Sequence, residues 1–365
     1  MPPRKKHDTK DDNSVKKTRS ETNPKKISRK SIGSFEQPDL TSFLLQTNGQ
    51  QLSARQSNIF FKRLRELEEA DAHLIYRGDK KDRLLDKFNI QPHGFPRMFN
   101  DYLFMIGDKG RHFWNGAIEE GGHTIPTFDL TDTSKEFLEF IFDTLRSILI
   151  RKDYSESLNL RLKEFAVKYP DFMDFFKFKK NKKDFIAKIL SANPRERLNA
   201  RDFYLTLLHQ FGKNDFYPAS FLLSVTKRIS VARSFIRWDQ INDNGIILFG
   251  WVPKEQGHLL YNRFMLAGKQ RIFQSIDLPT AGRFYKEQHE ITLKGGLLPH
   301  YIIGYFYREQ GVENFEVNPA IFDIADPDWP EQGLPVDQTH FGEQIKGTRF
   351  KKAFYITPPG DYYEF

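Results

Sequence analysis

The chain has 365 residues, of which 39% are hydrophobic and 15% aromatic, enough to build a sizeable core in one large or two smaller domains. It contains no cysteine, which excludes disulfides and thiolate metal sites, and its formal net charge is +8. No window approaches 18 uncharged apolar residues and no apolar secretory core stands near the start, so no membrane partner and a cytoplasmic location are expected.

The charge is unevenly spread. Residues 1–33 hold eleven Lys and Arg against four Asp and Glu, a net of +7, leaving +1 for the remainder. Arg4-Lys5-Lys6, Lys16-Lys17, Lys25-Lys26 and Arg29-Lys30 sit among Ser, Thr, Asn and Asp with almost no apolar residue. Such a segment cannot bury enough surface to fold, so a disordered basic tail over 1–33 is expected, followed by one domain over 34–365. The tail suits phosphates, a chaperone-type partner or plain solvation.

Next comes a short apolar segment, Gln37 to Leu45. The apolar spacing of Phe60, Leu64 and Leu67 predicts a helix over Ser53–Ala72 capped by Ser53. It feeds into His73-Leu74-Ile75-Tyr76-Arg77-Gly78, read as a core strand whose C-terminal edge exposes one guanidinium. An arginine at a strand end is ordinarily a surface residue. Its planar fork also suits a bidentate hold on phosphate or carboxylate, and Gly78 would let a ligand approach the backbone.

Phe95–Ile106 reads as a helix entering an irregular loop, in which Gly110 to Gly116 lines a pocket or packs on the core. A helical block is expected over about 130–215, with helices at Thr133–Arg151, Glu156–Tyr169, Lys182–Leu190 and Asn199–Gly212. Between them, Lys177 to Lys183 interleaves Phe178 with five Lys, a solvated turn or a contact for a nucleic-acid backbone.

From Phe221 to Val225 a buried strand is expected, with Ser224 and Thr226 on one face, then a helix over Ile229–Phe235 packed through Val231, Ala232 and Phe235. Further strands are expected at Gly245–Val252, Arg271–Ile276, Glu287–Leu293, Tyr301–Tyr307 and Phe350–Ile356, so the chain is α-rich first, β-rich later, and α+β in class. Within Thr280–Tyr301 a Gly-containing loop runs into a strand carrying Gln288 and Glu290 at i, i+2, an amide and a carboxylate on one face. Two polar residues alternating along a strand are also what a solvated face looks like. The ten His show no metal-ligand spacing, and no Ser-His-Asp set stands out.

Three pieces occur in order: Tyr76-Arg77-Gly78; Ser224-Val225-Thr226 followed by Ala232 to Phe235; and Tyr285-Lys286-Glu287-Gln288-His289-Glu290. Together they resemble the Arg-Ser-Glu class of mono-ADP-ribosyltransferases, the family of many bacterial toxins, over roughly Leu74 to Tyr307. Two departures are plain: Thr226 stands where the family has a second Ser, and the helical block lengthens the spacing between the first two motifs.

The resemblance implies a split β-sandwich around a cleft that binds NAD as co-substrate, with the helical block inserted. It assigns Arg77 to the NAD phosphates and the Gly78 backbone to the nicotinamide amide. Ser224 would hold the Glu290 carboxylate, Thr226 would support the strand, and Glu290 would accept from the ribose 2′-hydroxyl. Tyr285 and Gln288 would face the acceptor, and no metal is implied. The basic tail and the Lys177–Lys183 run favour a nucleic acid acceptor, RNA or DNA, over a protein side chain. A toxin with an antitoxin partner, or an antiphage role, also follows from the resemblance only. The reading from a different class is a nucleic-acid-binding protein with an inert cleft.

Overall fold

The computed structural model describes residues 38–108, 119–120, 123–124, 133–151, 156–211, 222–238, 243–252, 259–260, 275–282, 290–294, 297–336, 354–357 and 361–364. All of them belong to the unit Phe35–Phe365. The basic tail, the Gly110–Gly116 segment, Tyr285 and Gln288 lie outside the described residues.

In chain order the elements are β1 (Leu44–Thr47), β2 (Gln50–Gln51), α1 (Ala54–Glu69), β3 (His73–Lys80), α2 (Lys81–Phe88) and α3 (Arg97–Ile106). The short strands β4 (Glu119–Glu120) and β5 (His123–Thr124) pair with each other. Then come the helices α4 (Lys135–Ile150), α5 (Glu156–Lys168), α6 (Pro170–Lys177), α7 (Lys182–Ser191) and α8 (Pro194–Phe211). The chain continues through β6 (Leu222–Thr226), α9 (Ile229–Ile236), β7 (Gly245–Val252), β8 (Leu259–Leu260), β9 (Glu290–Lys294), β10 (Ile302–Glu309) and β11 (Val312–Val317). The pair β12 (Phe354–Thr357) and β13 (Asp361–Glu364) closes it. The protein is therefore mixed α+β.

Local chemistry explains the boundaries. Ser53 opens α1 with a reciprocal cap: its hydroxyl accepts from the Gln56 amide and the Gln56 side chain accepts from the Ser53 N–H. Helix α3 starts at Arg97 rather than Phe95, because a residue preceding proline disfavours the α conformation. Helix α8 starts at Pro194, five residues before the expected Asn199. Pro is preorganised for a first helical position, and the Asn193 side chain accepts from the Glu196 N–H.

Nine strands form one sheet in the order β2-β1-β11-β10-β7-β3-β6-β9-β8, antiparallel except where β1 runs parallel to β11. Strand β7 lies near its middle and every residue of Gly-Ile-Ile-Leu-Phe-Gly-Trp-Val is buried, as a strand covered on both faces requires. The register defines the two faces. Gly78, Ile247, Phe306 and Phe315 stand opposite one another across β3, β7, β10 and β11. This row is covered by α1, through Phe60 on Phe315, and by α9, through Ala232 at Gly78. The alternate row, Arg77, Leu248, Tyr305 and Glu316, faces α2 and α3, with Phe99 edge-on to Tyr305.

Helices α4 to α8 build a second core. The rings of Phe142, Phe176, Phe185 and Tyr204 meet within it, and Ile276, Leu278 and Ala281 join it from the later chain. Ser275 and Ile276 are irregular, not the end of a strand. Among the described residues, no helix is long and apolar enough to cross a membrane.

Candidate functional site

The three strands carrying the Arg, Ser and Glu motifs are neighbours: β3, β6 and β9. Strand β6 meets β9 over five residue pairs, from Leu222 opposite Lys294 to Thr226 opposite Glu290. It meets β3 at one pair only, Tyr76 opposite Thr226. Tyr76, Thr226 and Glu290 thus share one row across three strands. With adjacent strands ~4.8 Å apart, the Glu290 backbone lies about 10 Å from that of Tyr76.

Beyond Tyr76 the two strands part, and a side chain fills the gap. Arg77 donates from Nη1 to the carbonyl oxygen of Ser224 at 3.0 Å, replacing the ladder bond that the divergence removes. Its Nη2 donates to Asp79 at 2.8 Å and its Nε to Asp108 at 2.7 Å. The strand runs through to Lys80, so Arg77 is interior to it, and its side chain is only 11% exposed. The expected exposed guanidinium at a strand end is therefore corrected. Burial disfavours the cation, but the charges of Asp108 and Asp79 outweigh it, and the Arg77 pKa lies above its ordinary value.

Asp108 is the hub of this cluster. It follows α3, is fully buried, and is clamped by a reciprocal backbone pair with Leu297. It also accepts from the ammonium of Lys87 on α2. Burial lowers the Lys87 pKa from its usual value, against the pull of Asp108. Arg83 pairs with the other oxygen of Asp79. None of Asp79, Lys87 or Asp108 carried a sequence signal beyond being an ordinary charged residue.

Gly78 has a different reason to be glycine from the one expected. A Cβ there would stand 2.3 Å from the backbone oxygen of Ala232, so the space is taken by α9 rather than left for a ligand. Helix α9 itself buries Ile229, Ala232 and Ile236, whereas Phe235 is 56% exposed. The spacing i, i+3, i+7 sets that face, which corrects the expected packing through Val231 and Phe235.

Ser224 is half-buried, and its Oγ lies 2.7 Å from Nε2 of His209 in the last turn of α8. Thr226 is buried and its Oγ1 accepts from the Arg228 N–H, turning the chain from β6 into α9. The backbone of Glu290 is fixed in β9. His209 was missed because a single histidine inside an apolar helix carries no motif.

A cavity of about 580 Å³ lies between α1 and strands β3 and β7. Leu74 and Phe249 floor it, Phe61, Leu64 and Arg65 of α1 wall it, and Pro38 to Thr41 close one end. Phe249 stacks on Tyr76 at 5.0 Å, so the cavity and the Tyr76–Thr226–Glu290 row occupy the same face of the sheet. No group of His, Asp and Glu suited to a metal ion occurs among the described residues. No protein-family model matches the chain, and no curated protein and no solved structure matches it significantly.

Proposed function

We propose that the protein is a mono-ADP-ribosyltransferase that takes ADP-ribose from NAD. The observation that carries this reading is the single row Tyr76–Thr226–Glu290, which gathers the three motif strands into one corner of the sheet. The sheet parts at that same corner, in keeping with a split β-sandwich around a dinucleotide cleft.

Each residue then has a task. The C1′–N bond breaks with its electron pair going to the nicotinamide ring nitrogen, which neutralises the pyridinium. The acceptor's lone pair forms the new bond at C1′, and its proton leaves to solvent. Glu290 accepts from the ribose 2′-hydroxyl and stabilises the positive charge that develops on the sugar only in the transition state. Arg77, committed to Asp79, Asp108 and Ser224, holds the motif strands together; the phosphates fall to Arg65, exposed on the cavity wall. The Gly78 backbone and Thr226 keep the strand geometry, while Tyr285 and Gln288 meet the acceptor. Gln288, an amide, cannot take a proton from a guanidinium, which disfavours an arginine acceptor.

A nucleic acid acceptor is favoured by one surface. Phe178, 47% exposed between α6 and α7, has the ammoniums of Lys177 and Lys180 over its ring, each 5.7 Å from the centroid. An aromatic platform flanked by cations suits a base and its phosphates. A toxin partnered by an antitoxin fits an enzyme that modifies nucleic acid. The test is to incubate the full chain with labelled NAD and RNA, DNA and protein fractions. Label in a nucleic acid, lost by a factor of at least about 10² in Glu290→Ala, is expected. Label in protein would redirect the acceptor, and no NAD turnover would end the reading.

A further inference from the structure

The contact between Ser224 Oγ and His209 Nε2, at 2.7 Å, joins the helical block to the central motif strand. It is short for a hydrogen bond to nitrogen, and it falls on a motif residue whose main chain is also fixed by a side chain, through Arg77 on the Ser224 carbonyl. With the backbone held, the remaining freedom of Ser224 is the rotation of its side chain and hydroxyl proton, and His209 constrains both.

A hydroxyl has one proton and two lone pairs. If Nε2 accepts, the proton is spent on the imidazole and the hydroxyl has only lone pairs for any other neighbour. If Nε2–H donates, the hydroxyl proton can be given to an acceptor other than the imidazole. An ionised carboxylate accepts only, so the second arrangement alone lets Ser224 serve both groups. In the sheet, Ser224 stands opposite Thr292, and Glu290 is two residues along the same strand and therefore on the same face. Such diagonal neighbours are about 7–8 Å apart at the backbone, within reach of a long side chain.

We infer that His209 is a positioning residue: its Nε2–H donates to Ser224 Oγ and turns the hydroxyl proton toward β9, where Glu290 supplies the carboxylate. This rests on the transferase reading for its purpose, but not for the bond itself. The helical block is then a working part of the site, since α8 delivers His209, and its apolar core with Ile276, Leu278 and Ala281 holds α8 in place. The competing arrangement, His209 as a base that accepts the proton of a nucleophilic Ser224, uses the same distance with the opposite proton.

Two measurements on the full chain separate these outcomes. Imidazole ¹⁵N NMR, with the His209 signals assigned by their loss in His209→Gln, reads the bond without reference to activity. A proton on Nε2 is expected, and a bare Nε2 overturns the inference in favour of the base. Kinetics of NAD consumption then read the consequence. His209→Ala and Ser224→Ala should each lower kcat at least tenfold with little change in KM, and the double variant should be no slower than Ser224→Ala alone. Additive losses would overturn the positioning role, and His209→Gln, which keeps a donor, should recover most of the rate if His209→Ala fails to fold. Absence of NAD turnover in the unaltered chain would sink the transferase reading and with it the stated purpose; a bare Nε2 in an active chain sinks the inference alone.

Discussion

The guanidinium of Arg77 donates to the carbonyl oxygen of Ser224 at 3.0 Å, where a backbone amide of β3 would serve in an unbroken sheet. The sheet is thus fastened by a side chain at the point where it opens, and the strength of that fastening depends on the carboxylates behind it.

Removing Asp108 should be costly. Asp108→Ala leaves Arg77 and Lys87 as buried cations that have lost a partner, and a loss of about 3–5 kcal/mol in urea unfolding is expected. Asp108→Asn keeps the shape without the charge and should fall between. A change below ~1 kcal/mol in both would show that the cluster does not hold the corner together.

Gly78→Ala tests the close approach of α9. The added methyl meets the Ala232 backbone oxygen at 2.3 Å, and neither the strand nor the helix can give way without disturbing the sheet. A destabilisation of about 1–3 kcal/mol is expected, with a lower Tm by calorimetry. An unchanged Tm would mean that α9 slides freely over β3.

Glu316 and His300 should give the protein opposite pH sensitivities. Glu316 is fully buried, with one oxygen accepting from Asn100 and Gly49 and the other without a partner among the described residues. Burial raises its pKa, so the native state keeps its proton above pH 4.5 while the unfolded chain releases it. Stability from this group is therefore full below pH 4.5 and is lost as pH rises through the native value. Glu316→Gln should flatten that decline in urea midpoints measured from pH 4.5 upward.

Burial pushes His300 down to about 3 from 6.5, so between those values the unfolded chain binds a proton that the native state refuses. Stability should fall as pH drops from 6.5 to 3, at up to ~1.4 kcal/mol per pH unit from this group. His300→Asn should remove that part of the slope. An identical slope in the variant would place the acid sensitivity elsewhere.

Much of the fold was legible from periodicity and capping. Ser53 marks the start of α1, the unbroken apolar run Gly245–Val252 is β7 as read, and the helical repeats over 133–212 correspond to α4, α5, α7 and α8. Strand β11 was missed because Val-Glu-Asn-Phe-Glu-Val spends two polar residues on interior contacts: Glu316 meets Asn100, and Asn314 meets Gln46. A sequence shows such residues only as polar, and their partners lie more than 200 positions away. The same limit hid the charge cluster. Arg77 reads as exposed because arginine usually is, and only the fold that brings the carboxylates of Asp79 and Asp108 against it offsets the cost of burying its charge. His209 became visible only when α8 was seen to end over β6.

Strand β1 lies against β11, with Gln46 bonded to Asn314 and Thr47 to the carbonyl of Val317 across 268 and 270 residues. On the ribosome β1 must therefore wait, unpartnered on that side, until β11 has emerged. Completion of the sheet is a late and slow event, and a nascent chain stalled before residue 312 would expose an unfinished edge to chaperones.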